Sequence, residues 1–184
     1  AVFANDYWKY SVPNSEPDSN WNTEYFDDNN WNEGPGGFGY GDGDDGTIID
    51  QTLSVYFRAT FNVEEKTKLK RALISADYDD GFIAYLNGIE VARSYNLPEP
   101  GTFVPFDFVT YYDHEALFYN GDLPESIMID SLSLDSILIY GLNVFAVQVH
   151  NVSETSSDLS GNFYLTFGVS DGSQFFSEPP SWFQ

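Results

Sequence analysis

From Ser54 to Val63 the chain reads SVYFRATFNV, in which Val55, Phe57, Ala59, Phe61 and Val63 alternate with Ser54, Tyr56, Arg58, Thr60 and Asn62. Successive side chains of a strand point to opposite faces, so this strict period of two predicts a strand with one buried and one wet face. The pattern returns in NVFAVQVHN, where Phe145, Val147 and Val149 share a face opposite Gln148 and His150. It returns again in FYLTFGV, with Phe163, Leu165, Phe167 and Val169 inward. FIAYLNGIEVAR reads as a hairpin whose Asn87-Gly88 supplies the positive φ angles of a type I′ turn. These segments predict an all-β chain, a two-sheet antiparallel jelly-roll sandwich with long loops.

The rest of the chain is arranged around that core. Residues 1–50 are rich in Asn, Asp, Gly, Pro and Trp and read as a loop and strand region pinned by aromatics, residues 51–170 as the sandwich core, and residues 171–184 as a tail. The whole is expected to be one domain and a segment of a larger protein. Lys66–Asp77 reads as a further strand, and SIMIDSLSLDSILIYG as a strand followed by a helical turn closed by Gly141. Ser94 to Glu125 carries Pro, Gly and aromatics without a period, too long for an ordinary connection, so it reads as a functional loop or a wrapped excursion. In the tail SEPPSWFQ the prolines stop a strand, and Trp182 and Phe183 are expected to dock.

Charge narrows the partners. Seven Lys and Arg stand against 29 Asp and Glu, a formal charge of −22, which repels nucleic acid and anionic membranes. No stretch reaches the apolar length of a membrane span. With no cysteine in its 184 residues the chain has no disulfide, no thiolate chemistry and no cysteine-based metal site. It opens at Ala1 without the pattern of a signal peptide, as a processed or excised segment would.

Two acidic clusters are candidate sites. Asp42, Asp44 and Asp45 lie among the glycines of GYGDGDDG, where backbone carbonyls can converge with carboxylates as a structural calcium requires. The spacing is not that of an EF-hand, because Leu53 stands where the closing Glu belongs, and a solvated turn is the competing reading. In DYDDG, Asp77 is expected to shape a tight turn, with Gly81 at a strained φ. Asp79 and Asp80 meet either a cation or sugar hydroxyls, or only cap the turn.

Sugar rings present apolar C–H faces to aromatic side chains while Asp, Asn, Arg and Gln bond the hydroxyls. Trp8, Trp21, Trp31, Tyr40, Tyr95, Tyr111 and Tyr112 lie in or beside loops and are candidate stacking platforms, with Tyr111 and Tyr112 the expected exposed pair, although loops of this length also need aromatic anchors. Arg93 ends the hairpin and either contacts ligand or pairs with a loop acid; Arg58 on its wet face is similar. His150 and Asn151 either meet a ligand or cap the turn before Asp158. His114 and His150 are the only histidines, and neither belongs to HExxH. GPGGFGYG lacks the Lys-Ser/Thr of a phosphate loop. No motif here specifies an enzyme, since among 29 acids some pair of carboxylates is always at hand.

The order YFRATF, DDGFIAYLNGIEVAR and GLNVFAVQVHN is similar to the sugar-binding jelly roll of the galactose-binding-like superfamily, including the one beside the barrel of family 2 glycosidases. Together with DYWKYSVPNSEPDSNWNTEYFDDNNW, GGFGYGDGDDGTII, AVQVHNVSETSSDLS and PPSWF, the chain resembles a domain of large secreted Bacteroidetes-type proteins that carry CotH-like kinase or lamin-tail domains. The resemblance implies a secreted or cell-surface bacterial protein, a polysaccharide or glycan as ligand, and a structural calcium. The expectation is a non-catalytic carbohydrate-binding module. A structural or protein–protein module supporting a neighbouring domain is the alternative, and a glycan-active hydrolase a third.

Overall fold

The computed structural model describes residues 1–3, 6–41, 43 and 45–170. The chain is a β-sandwich. One sheet has six strands in the order β2-β1-β5-β10-β7-β8 and the other five in the order β4-β3-β11-β6-β9. These are β1 (Tyr7–Ser11), β2 (Asn32–Pro35), β3 (Phe38–Tyr40), β4 (Thr47–Ile48), β5 (Ser54–Val63), β6 (Leu69–Asp79), β7 (Gly81–Leu86), β8 (Ile89–Arg93), β9 (Glu125–Ile129), β10 (Gly141–His150) and β11 (Leu159–Val169). All pairs are antiparallel except β3 with β4. One short helix, α1 (Ser131–Ile137), follows β9, and Asp130 caps it by accepting from the N–H groups of Leu132 and Ser133.

The period-two residues meet between the sheets. Val55, Phe57, Phe61, Phe145, Val147 and Val149 face Ile74, Phe163 and Leu165 in one core, with Phe38 stacked on Phe57 at 4.5 Å. Asn87 and Gly88 turn the β7–β8 hairpin at φ 49° and 82°, as the tight-turn chemistry requires. Residues 1–50 carry four short strands that extend both sheets.

Two expectations change. The second face of β5 and β10 is wet at one end only: Thr60, Asn62 and Leu142 are exposed, whereas Tyr56, Arg58, Val144, Ala146, Gln148 and His150 are all buried. Residues 12–31 and 94–117 cross that face and cover it, so Trp21 packs edge-on to Tyr56 at 4.7 Å, and Ile83 packs with Leu97 and Val104. Alternation identifies the two faces of a strand, but a cover contributed from distant sequence decides whether the second face meets water. Gly81 does not take a positive φ. It is needed for space, since a Cβ there would lie 2.7 Å from the Thr110 methyl and 3.1 Å from the Ser94 hydroxyl. The closing segment SEPPSWFQ lies outside the described residues.

Candidate functional site at the loop end

At Asp79-Asp80-Gly81 the chain leaves the five-stranded sheet and enters the six-stranded one. The core takes Ala72, Ile74, Ala76 and Tyr78 of β6. Period two therefore sends Asp77 and Asp79 to the outer face. Both are nonetheless buried, because the excursion lies over them. The Asp77 carboxylate accepts from Leu117 N at 2.6 Å and Phe118 N at 3.3 Å. Asp80 splits its two oxygens: Oδ1 accepts from His114 N at 2.8 Å, and Oδ2 accepts from Val152 N at 2.7 Å. Burial raises the Asp80 pKa, opposed by those two N–H donors, with Asp113 and Asp158 adding to the rise. The peptide bond between Asp79 and Asp80 is cis.

These bonds bring a third segment to the place. The β6–β11 register sets Ser160 opposite Asp79, so Asp158 lies just beyond the end of the ladder. The excursion, tied down at residues 114 and 117, delivers Glu115. One oxygen from each of Asp79, Glu115 and Asp158 lies within 4.8 Å of the others, with Asp79 buried, Asp158 half-buried and Glu115 exposed. Three carboxylates offer hard oxygen ligands of the kind calcium takes, and waters or backbone carbonyls would complete its six to eight.

The sequence-derived candidates fall around this cluster in different ways. Asp42 and Asp44 lie outside the described residues. Asp45 is packed against Gly39, and Gly41 of the same loop abuts Ser157 and Asp158, so this acidic loop meets the turn that carries Asp158. Tyr40 is buried: its hydroxyl accepts from Asn151 Nδ2 at 3.1 Å, and burial raises its pKa. Trp31 stacks on Trp21 at 6.3 Å and touches Phe26 edge-on at 5.4 Å, within the cover. Arg93 forks onto Glu90 with both bonds at 2.9 Å and donates to the carbonyls of Pro98 and Thr102. Tyr111 and Tyr112 stand 57% and 63% exposed, and Tyr95 nearby 69%. Their backbone is fixed: Tyr111 N donates to Asn96 O, while Asn96 Nδ2 and Thr110 Oγ1 donate to Tyr112 O at 2.8 and 3.0 Å.

Glu115 and Asp158 carry no local signal as ligands. Glu115 sits in an aperiodic segment and Asp158 in a polar turn. Only the register of β6 with β11 pairs residue 79 with the neighbourhood of 158. The string GVSDG, residues 168–172, has the G-x-S-x-G spacing of a serine-hydrolase elbow. Ser170 follows β11, and its N–H bonds Lys68 O at the far end of that strand from Asp158. Eleven strand residues at about 3.3 Å each separate it from the end where His114 and His150 lie.

No protein-family model matches the chain, and no curated protein matches it. Solved structures do. A glycosyl hydrolase family 2 member from Bacteroides cellulosilyticus superposes with a TM-score of 0.51 at 12% identity, over 89% of this chain and 20% of that one. A β-glucuronidase from glycoside hydrolase family 2 gives 0.47 at 17% identity over 82% and 14%. A calcium-binding mutant of β-glucuronidase 2 from Bacteroides uniformis gives 0.46 at 14% over 85% and 17%. The first likeness shows the fold, and the chain spans a fifth or less of each of these proteins.

Proposed function

We propose that the chain is a non-catalytic carbohydrate-binding module of a secreted or cell-surface protein. It holds glycan at the loop end by stacking on Tyr111 and Tyr112, with a calcium ion at Asp79, Glu115 and Asp158 bracing the loops. The observation that carries this reading is the pair of exposed tyrosines on a hydrogen-bonded backbone, three to four residues ahead of Glu115. A backbone fixed before binding spares the cost of ordering the loop when a sugar stacks on its rings. Asp80, the carboxyl whose pKa is raised, spends both oxygens on backbone N–H groups, which suits a corner post better than a general acid.

Affinity electrophoresis through a panel of plant and bacterial polysaccharides, run with and without calcium, tests the reading. Retardation that drops about tenfold in the Tyr111→Ala/Tyr112→Ala variant is expected, two aromatic contacts of about 0.5–1.5 kcal/mol each being lost. Retention of full binding by that variant, or no retardation of the parent by any polysaccharide, sinks it.

A second reading, a module that supports a neighbouring domain, draws on the exposed Met128 and Leu132 around β9, a strand at the edge of its sheet. Edge strands with apolar neighbours are ready partners for another chain.

A further inference from the structure

The cover over the six-stranded sheet is made of two pieces, and they do not meet everywhere. Between residues 16–22 of the first and 101–103 of the second, a groove of about 410 Å³ opens onto the strands beneath. That volume falls within the range of about 300–1,000 Å³ that small-molecule sites occupy. The groove is on the face of the sheet, away from the loop-end tyrosines, and shares no lining residue with the carboxylate cluster.

Its walls are aromatic and rigid on one side. Trp21 meets the Tyr85 ring edge-on at 5.6 Å and Tyr56 at 4.7 Å, so neither indole nor phenol is free to turn away. On the other side Phe103 is 71% exposed, so its ring is open to whatever enters the groove. Such a cleft, one fixed aromatic wall facing one open ring, fits a flat body with apolar faces.

Polar groups line the floor. Gln148 donates through Nε2 to Val104 O at 3.3 Å and bonds His150 Nε2 at 2.9 Å, and no donor among the described residues reaches its Oε1. The Tyr85 hydroxyl also has no hydrogen-bond partner among the described residues, and burial pushes its pKa up to about 12, so it stays a neutral donor. The charged groups are already committed. Glu16 accepts from Phe106 N at 3.0 Å, and Glu90 is forked by Arg93 and also accepts from Gly101 N at 3.1 Å. Two carboxylates against one guanidinium leave the groove with one net negative charge inside a chain of charge −22. An anionic ligand is repelled there, and a hydroxyl-rich neutral one is not.

We propose that this groove is a second saccharide subsite, selective for a neutral pyranose over a uronate, with Phe103 as its stacking ring. Trp21 and Tyr85 form the opposing wall, and Gln148 Oε1 and the Tyr85 hydroxyl bond the sugar hydroxyls. The ligand class rests on the carbohydrate-binding reading; the place and the charge preference rest on the groove alone.

The test is calorimetric titration of the full chain with neutral xylo-, cello-, manno- and chito-oligosaccharides and with oligogalacturonate, together with ¹H–¹⁵N spectra reporting the Trp21 indole and the backbone of residues 101–103. Phe103 is exposed, so Phe103→Ala leaves the fold intact; Tyr85→Phe is the second, conservative probe. Binding of at least one neutral oligosaccharide is expected to shift the Trp21 indole signal and to weaken about tenfold in Phe103→Ala. It should weaken less in Tyr85→Phe and persist at the groove when Tyr111 and Tyr112 are both alanine. Oligogalacturonate should leave the indole signal in place. Neutral-sugar binding that survives Phe103→Ala and Tyr85→Phe but vanishes in the tyrosine double variant overturns the groove while leaving the loop-end reading standing. Stronger binding of the uronate overturns the charge argument and with it the subsite. Absence of heat and of spectral change with every oligosaccharide overturns both.

Discussion

Arg58 Nε lies 2.7 Å from Asp28 Oδ2, and the arginine side chain is almost wholly out of water on a strand face the sequence alone makes wet. The same guanidinium donates to the carbonyls of Trp21 and Thr23 and stands 5.1 Å over the Phe26 ring. One cation in β5 therefore anchors the whole first cover.

Arg58→Met removes the charge and leaves Asp28 and two carbonyls without their donor. Breaking a buried pair on one side costs about 3–5 kcal/mol, so a fall in Tm on the order of 10 °C is expected. Limited proteolysis should cut within residues 12–31 of the variant before the parent is touched. A variant that melts with the parent and resists the protease shows that the cover does not depend on this residue.

His150 gives the chain a dependence on pH. Its Nδ1 bonds Phe108 O at 3.0 Å and its Nε2 faces the Gln148 amide at 2.9 Å, an arrangement that assigns the proton to Nδ1. Burial pulls its pKa down from 6.5 to about 4. Below 6.5 the unfolded chain therefore takes up a proton that the folded chain refuses, and stability contributed at neutral pH is lost as pH falls from 6.5 towards 4. The full shift corresponds to at most about 3 kcal/mol. His150→Asn keeps a donor for Phe108 O and cannot titrate, so its melting temperature should fall less steeply over that window. Parallel curves for parent and variant would refute the assignment.

The carboxylate cluster predicts a response to calcium. Saturating Ca²⁺ at about a hundred times its Kd stabilises the folded chain by about 2.7 kcal/mol, and a chelator reverses it. Asp158→Asn should abolish the shift while melting close to the parent in the absence of calcium, since relieving crowded like charges offsets the lost contacts. The idea fails if melting is indifferent to both calcium and chelator.

Asn87 does two jobs that substitutions can separate. Besides its positive φ, its Nδ2 donates to Ile137 O and Asn143 Oδ1, and its Oδ1 accepts from Val144 N at 2.8 Å. Asn87→Gly keeps the turn and loses the bonds; Asn87→Ala loses both. Denaturant unfolding should place the alanine variant about 1–2 kcal/mol below the glycine variant, the cost of a Cβ in the left-handed region. Equal stabilities would mean that the turn conformation is not what selects this residue.

The strands and the hairpin were legible in the sequence because period two and Asn87-Gly88 are local signals. Val55 to Val63 needed nothing beyond their own neighbours. The burial of Arg58, Gln148 and His150 was not legible, since it depends on covers arriving from residues 12–31 and 94–117, and no local pattern records which face a distant loop will lie on. The site follows the same division. Asp79 was visible as a carboxylate next to a turn, whereas Glu115 and Asp158 join it only through the β6–β11 register and the ties from Asp77 and Asp80 to residues 117 and 114. Arg93 and Tyr40 looked like loop-edge contacts; their bonds run to Glu90 and Asn151.

Apart from Ser94, whose N–H bonds Phe82 O at 3.0 Å, the two covers lie on the six-stranded sheet without supplying its ladder. β5 pairs with β10 along ten residues and β10 with β7 along six, and none of those bonds passes through residues 12–31 or 94–117. The covers can therefore lift while the sheets stay closed. In hydrogen exchange the amides of β5 and β10 should wait for global unfolding, while those of the covers exchange through smaller, earlier openings. The groove between the covers then has walls that breathe over a floor that does not.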